Sequence, residues 1–213
     1  MPLDTRLLPT PHGPARLLQR RAVAPWATLL LTHGAGAGVD VPDLACLADS
    51  LPRRGITVSL IEMPWHVAGR RVAAPPPVLD ECLIAAVDRL RPRTPMVLGG
   101  RSAGARVACR TGRRLGAIAV LALAFPLHPP RRPERSRVAE LTGARLPVLV
   151  VQGERDALGA PEEFPVGTAL TPVPYADHSF AVPRTAGVGR DDLLREVAVV
   201  VHDWISRRLQ RLG

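Results

Sequence analysis

Apolar residues in this chain come in short unbroken runs, and such runs leave few folds open. Residues 27–31 (Ala-Thr-Leu-Leu-Leu), 95–99 (Pro-Met-Val-Leu-Gly), 117–124 (Ala-Ile-Ala-Val-Leu-Ala-Leu-Ala) and 148–152 (Val-Leu-Val-Val-Gln) are of strand length and lack the apolar–polar alternation of a strand with one wet face. They read as strands covered on both sides. Residues 56–61 supply another strand, residues 15–23 a short one interrupted at Pro25, and residues 169–173 a weaker one. Segments with helical spacing lie between them. Residues 41–51 put Leu44, Leu47, Ala48 and Leu51 on one face, residues 79–90 do the same with Leu79, Leu83, Val87 and Leu90, and residues 103–114 and 191–212 follow suit. Strands alternating with helices in this way predict an α/β fold, a mostly parallel central sheet with helices on both faces. The Pro/Arg-rich stretches 62–77 and 125–137 follow neither period and read as loops, the second running into a short helix that ends near Gly143.

At 213 residues the chain has the size of one domain, residues 1–213, with no internal repeat or linker. Residues 1–18 mix prolines, Asp4, Arg6 and His12 without an apolar core segment, so they do not read as a secretory signal. The longest apolar run, residues 115–127, is too short for a bilayer and is broken by Gly116 and Pro126. A cytoplasmic protein with no membrane association is expected. Cys46, Cys82 and Cys109 are odd in number and fall in predicted helices, as small buried apolar groups do, so neither a disulfide framework nor a metal site is expected. The net charge of +9 comes wholly from arginine, since the chain has no lysine. Many arginines are paired at predicted helix ends, where a cation suits the helix dipole. Aromatic residues for stacking bases make up only 3%, so the charge does not imply specific nucleic-acid binding.

The strand at residues 95–99 runs into Gly100-Arg101-Ser102-Ala103-Gly104, and a helix starts at once. A Gly-x-Ser-x-Gly turn in that context holds the serine on a sharp bend with its hydroxyl exposed, and glycines on either side leave room for the neighbouring backbone. In a doubly wound sheet, reactive groups gather at the carboxyl ends of strands. Three other strand ends carry suitable residues: Thr32-His33-Gly34-Ala35-Gly36, Gln152-Gly153-Glu154-Arg155-Asp156 and Tyr175-Ala176-Asp177-His178-Ser179-Phe180. A serine hydroxyl needs an imidazole base, and the imidazole needs a carboxylate to hold its tautomer.

Ser102, Asp156 and His178 fall in the right order. Asp156 is preferred to Glu154 because it sits at the apex of its turn, and to Asp177 because residues adjacent in sequence usually point apart. His178 alone among the histidines closes a strand after the acid turn. His33 is expected to bond the backbone beside the glycine loop, and His202 to lie partly exposed on the last helix. The glycine loop fits an oxyanion-binding loop, with N–H groups from Ala35 (or Gly36) and Ala103. Its competing reading, a dinucleotide cradle with Glu62 on a ribose, lacks the Gly-x-Gly-x-x-Gly spacing. Gly36, Trp65, His66 and Arg101 are candidates for the substrate pocket. Arg101 and Arg106 have two readings: recognition of an acidic substrate by Arg101 or of a phosphate by the pair, and, favoured, a brace in which Arg106 pairs with a carboxylate such as Glu62 or Asp80.

Taken together, Leu31-Thr32-His33-Gly34-Ala35-Gly36, Gly99-Gly100-Arg101-Ser102-Ala103-Gly104-Ala105-Arg106, Phe125-Pro126-Leu127-His128-Pro129-Pro130, Gln152-Gly153-Glu154-Arg155-Asp156 and Asp177-His178-Ser179-Phe180 resemble the KANL/Tex α/β-hydrolase-like family, a small cap-less branch close to dienelactone hydrolases. The resemblance implies an α/β-hydrolase fold, a Ser102–Asp156–His178 triad, no cofactor, and cleavage of a small ester or thioester through an acyl-enzyme. Dienelactone hydrolases proper carry a cysteine as nucleophile, so their substrate does not transfer to Ser102. Relatives also include a subunit of a chromatin-modifying complex, which gives the alternative expectation of a catalytically weak scaffold that binds a protein partner.

Overall fold

A computed structural model describes residues 3–211. Eight strands form one sheet: β1 (Leu3–Leu8), β2 (Ala15–Arg20), β3 (Ala27–Thr32), β4 (Ile56–Glu62), β5 (Met96–Arg101), β6 (Ala119–Leu123), β7 (Val148–Gly153) and β8 (Ala169–Val173). Their spatial order is β1-β2-β4-β3-β5-β6-β7-β8. From β4 to β8 every pairing is parallel, while β1 and β2 add an antiparallel edge. The helices are α1 (Pro42–Ser50), α2 (Pro64–Val67), α3 (Pro76–Leu90), α4 (Ala103–Thr111), α5 (Val138–Thr142) and α6 (Arg190–Gln210).

The unbroken apolar runs become doubly covered strands because successive side chains point to opposite faces. Leu29, Leu31, Val97 and Leu121 pack with α1 and α6, whereas Leu30, Leu98, Val120 and Val150 pack with α3 and α4. Each fully buried leucine contributes about 2 kcal/mol of transfer free energy, so the central strands form a rigid base for whatever their carboxyl ends carry. Cys46, Cys82 and Cys109 lie in helices, unbridged.

Two elements, β1 and α2, have no counterpart in the sequence expectation. β1 is almost wholly exposed and so has no apolar pattern to read; pairing with β2 makes it a strand. α2 lies inside the stretch 62–77, where Pro64 occupies its first turn and Trp65 is buried. The last helix was expected to reach Leu212; α6 runs through Gln210, and Leu212 lies outside the described residues.

Candidate active site

The bend after β5 is shaped by close backbone contact. Ser102 has φ 52° and ψ −113°, a strained conformation that costs about 1–3 kcal/mol for a residue with a side chain. Its N–H continues the sheet by donating to the Leu123 carbonyl at 2.9 Å. A β-carbon on Gly100 would lie 2.5 Å from the Gly104 carbonyl carbon, and one on Gly104 would lie 2.5 Å from the Thr32 carbonyl oxygen. Those two glycines let β5, α4 and the end of β3 crowd together, and the crowding pushes Ser102 out at the carboxyl edge.

His178 arrives from the loop after β8. That loop is tied by Asp177, whose Oδ1 accepts from the N–H groups of Ser179 and Ala181 and from the Ser179 hydroxyl, and it is anchored by the buried Phe180. His178 Nε2 lies 3.0 Å from Ser102 Oγ, and Nδ1 lies 2.8 Å from Asp156 Oδ2. A carboxylate only accepts, so Nδ1 carries the proton and Nε2 is free to accept from the serine hydroxyl. Asp156 is buried and also accepts from the Leu158 N–H and from the Gln152 side-chain amide, each at 2.8 Å. Gln152, at the end of β7, has no counterpart in the sequence-level candidates. Its signal was a polar residue closing an otherwise apolar run. Glu154 instead accepts from the Tyr175 N–H on the surface.

The glycine loop after β3 lies directly over the serine. A β-carbon on Gly34 would come within 3.2 Å of Ser102 Cβ. His33 is buried at its base, with Nδ1 donating to the Gly34 carbonyl at 2.8 Å and Nε2 accepting from the Met63 N–H at 2.9 Å. Burial pushes the imidazole below its ordinary pKa, which suits this neutral tautomer. Among the described residues, the N–H groups of Ala35, Gly36 and Ala103 meet no hydrogen-bond acceptor.

The arginines beside the bend are structural in their contacts. Arg101 is buried, donates to the His178 carbonyl at 2.8 Å and approaches the buried Asp43 carboxylate to 3.4 Å. Arg106 does not reach Glu62 or Asp80, as the sequence suggested. It pairs with Glu140 on α5, and Arg110, one turn further along α4, takes both Glu140 and Asp80. Glu62 is held by Arg16 at 2.9 Å and by His66 at 2.5 Å. Ala35, Gly36, Trp65, His66, Arg70 and Arg71 wall a cleft of about 400 Å³ next to the glycine loop, and Arg101 is not part of it. His128 stands apart, 3.7 Å from Glu163, and His202 bonds Asp203 on α6.

A parallel sheet whose carboxyl edge carries a serine on a strained bend, a histidine loop and an acid turn defines the α/β-hydrolase class. A family profile described as an alpha/beta hydrolase domain matches residues 25–206, and the chain belongs to that family. Solved structures share the fold at low identity. Est1E from Butyrivibrio proteoclasticus superposes with a TM-score of 0.74 at 13% identity, covering 97% of this chain and 99% of its own. A lidless serine hydrolase from Xanthomonas campestris gives 0.68 at 17% identity, covering 100% of this chain and 96% of its own. A dienelactone hydrolase from Anabaena variabilis gives 0.72 at 19% identity, covering 97% of each chain.

Proposed function

We propose that the protein is a serine hydrolase that cleaves a small ester or thioester through an acyl-enzyme, and that within its family it falls in the cap-less KANL/Tex branch. The observation that carries this reading is the unbroken chain from Ser102 Oγ to His178 Nε2 at 3.0 Å and from His178 Nδ1 to Asp156 at 2.8 Å. His178 takes the proton as Ser102 attacks the acyl carbon, and the imidazolium formed is stabilised and oriented by Asp156. The oxyanion accepts from the N–H groups of Ala103 and of Ala35, with Gly36 as its alternate. Collapse of the adduct expels the alcohol or thiol, which leaves with the proton from His178. Water, activated by the same histidine, then releases the acid. No step calls for a metal or cofactor. A single domain over residues 1–213 and a cytoplasmic setting complete the proposal; among the described residues no helix is long and apolar enough to cross a membrane.

Labelling with a fluorophosphonate tests the nucleophile. Wild-type protein should label at Ser102 and lose esterase activity in step with labelling, while Ser102→Ala should do neither. Equal labelling of the Ser102→Ala variant would refute the assignment. A protein that stays unlabelled, turns over no ester and isolates with a stoichiometric protein partner would instead support the scaffold alternative.

A further inference from the structure

The cleft beside the glycine loop is rich in hydrogen-bond donors and has no acidic wall. Arg70 and Arg71 are exposed on the segment after α2, and among the described residues neither side chain has a hydrogen-bond or ion-pair partner. Trp65 forms part of the same wall, and its indole Nε1 is buried with no acceptor in the protein. Neither nearby carboxylate lines the cleft: Glu62 is buried with its two oxygens held by Arg16 and His66, and Asp40 approaches His66 from the Gly38 side, where a β-carbon would meet both side chains. A cleft of about 400 Å³ is of the size that takes a small metabolite. Ser102 does not line it; the link is the glycine loop, in which Ala35 and Gly36 line the cleft and the preceding Gly34 packs on Ser102.

Building on the hydrolase reading, we propose that this cleft selects esters or thioesters whose acyl group ends in an anion, a carboxylate in the simplest case. The acyl carbon sits at Ser102 and the chain passes over Ala35 and Gly36. Its terminal anion then accepts from Arg70 and Arg71. A cleft of one charge sign both concentrates and orients an oppositely charged substrate. Anion recognition thus belongs to the loop after α2 and not to Arg101, which is occupied with Asp43 and the His178 carbonyl.

The probes are mono-4-nitrophenyl glutarate and 4-nitrophenyl valerate, which match in chain length and leaving group and differ in the terminal charge. The wild-type protein should favour the glutarate ester in kcat/KM by about tenfold at low salt, with the preference shrinking as salt is added. The Arg70→Gln/Arg71→Gln double variant should lose that preference, mainly through KM, while hydrolysis of the valerate stays within about twofold of wild type. Free glutarate binding to the Ser102→Ala protein, read by calorimetry, provides a measure independent of turnover. Binding that disappears when Arg70→Gln and Arg71→Gln are added supports the cleft even if no ester is cleaved, in which case it is the hydrolase reading that fails. Equal kcat/KM for the two esters together with no glutarate binding would overturn the cleft proposal while leaving Ser102 chemistry intact.

Discussion

Arg101 donates to the main-chain carbonyl of His178 at 2.8 Å, so the residue before the serine holds the loop that carries the histidine. Its Nε faces the Asp43 carboxylate at 3.4 Å, and both side chains are buried. Burial raises the Asp43 pKa, with Arg101 pulling against it. Removing one partner of such a pair strands the other charge. Arg101→Met should therefore destabilise the protein by about 3 kcal/mol in urea unfolding. Asp43→Leu/Arg101→Met should recover most of that stability yet keep kcat depressed by about tenfold or more, because the His178 loop has lost its tether. A double variant that regains full activity would reduce Arg101 to a counter-ion.

Space around the glycines separates shape from chemistry. A β-carbon on Gly104 would press on the carbonyl oxygens of Thr32 at 2.5 Å and His33 at 2.8 Å, and neither backbone can yield cheaply. Gly104→Ala should cost about 2 kcal/mol or more in stability and prise the glycine loop off the serine bend, with kcat falling. At Gly36 a β-carbon meets nothing within 4 Å, so Gly36→Ala should fold as wild type and alter KM alone. Thermal melts and steady-state kinetics on both variants check the contrast.

The strand and helix pattern was legible because central strands and amphipathic helices write their burial into the sequence. That Ser102, Asp156 and His178 come together could be anticipated because each follows a strand, in order, on a sheet whose carboxyl ends share one edge. β1 was not readable, since its residues face solvent and only the partner strand orders them. Arg106 finds Glu140 and not Glu62 or Asp80 because the choice depends on where α5 docks against α4, a tertiary outcome with no local signature. Asp43 was missed for the same reason, because its place opposite Arg101 is set by the fold; Gln152 left a local signal, a polar residue closing an apolar run, but its partner Asp156 is fixed only by the turn that follows.

One buried group and one half-buried group set separate pH windows for stability. His33 is held neutral by burial, below its ordinary 6.5, so the unfolded chain binds a proton that the folded protein does not. Stability present above about pH 6.5 should drain away as the pH falls through and below that value. For Glu140, burial alone would raise the pKa, but the Arg106 and Arg110 guanidiniums outweigh it and hold the carboxyl below 4.5. That contribution is complete above 4.5 and is lost only as the pH drops further. Urea midpoints followed downward from about pH 7.5 should show both losses, with His33→Gln removing the upper one and Glu140→Gln the lower.

Gln152 offers the sharpest test of how the acid is held. Its side-chain NH2 lies 2.8 Å from Asp156 Oδ2, 2.7 Å from the Gly159 carbonyl and 3.3 Å from the Phe125 carbonyl, in a fully buried position. With two protons to give, it serves the two shorter contacts and so ties the acid turn to the end of β7. Gln152→Leu removes both bonds and leaves Asp156 with only the Leu158 N–H and His178. We expect kcat to fall by about tenfold with KM nearly unchanged, and fluorophosphonate labelling of Ser102 to slow in parallel. Gln152→Glu sets a second carboxyl against Asp156, where the pair must share a proton or repel. Its loss should be larger, about a hundredfold, because the group facing His178 is then no longer a dependable acceptor. If Gln152→Leu keeps wild-type kcat, the Leu158 N–H alone holds Asp156, and Gln152 serves only the Gly159 turn.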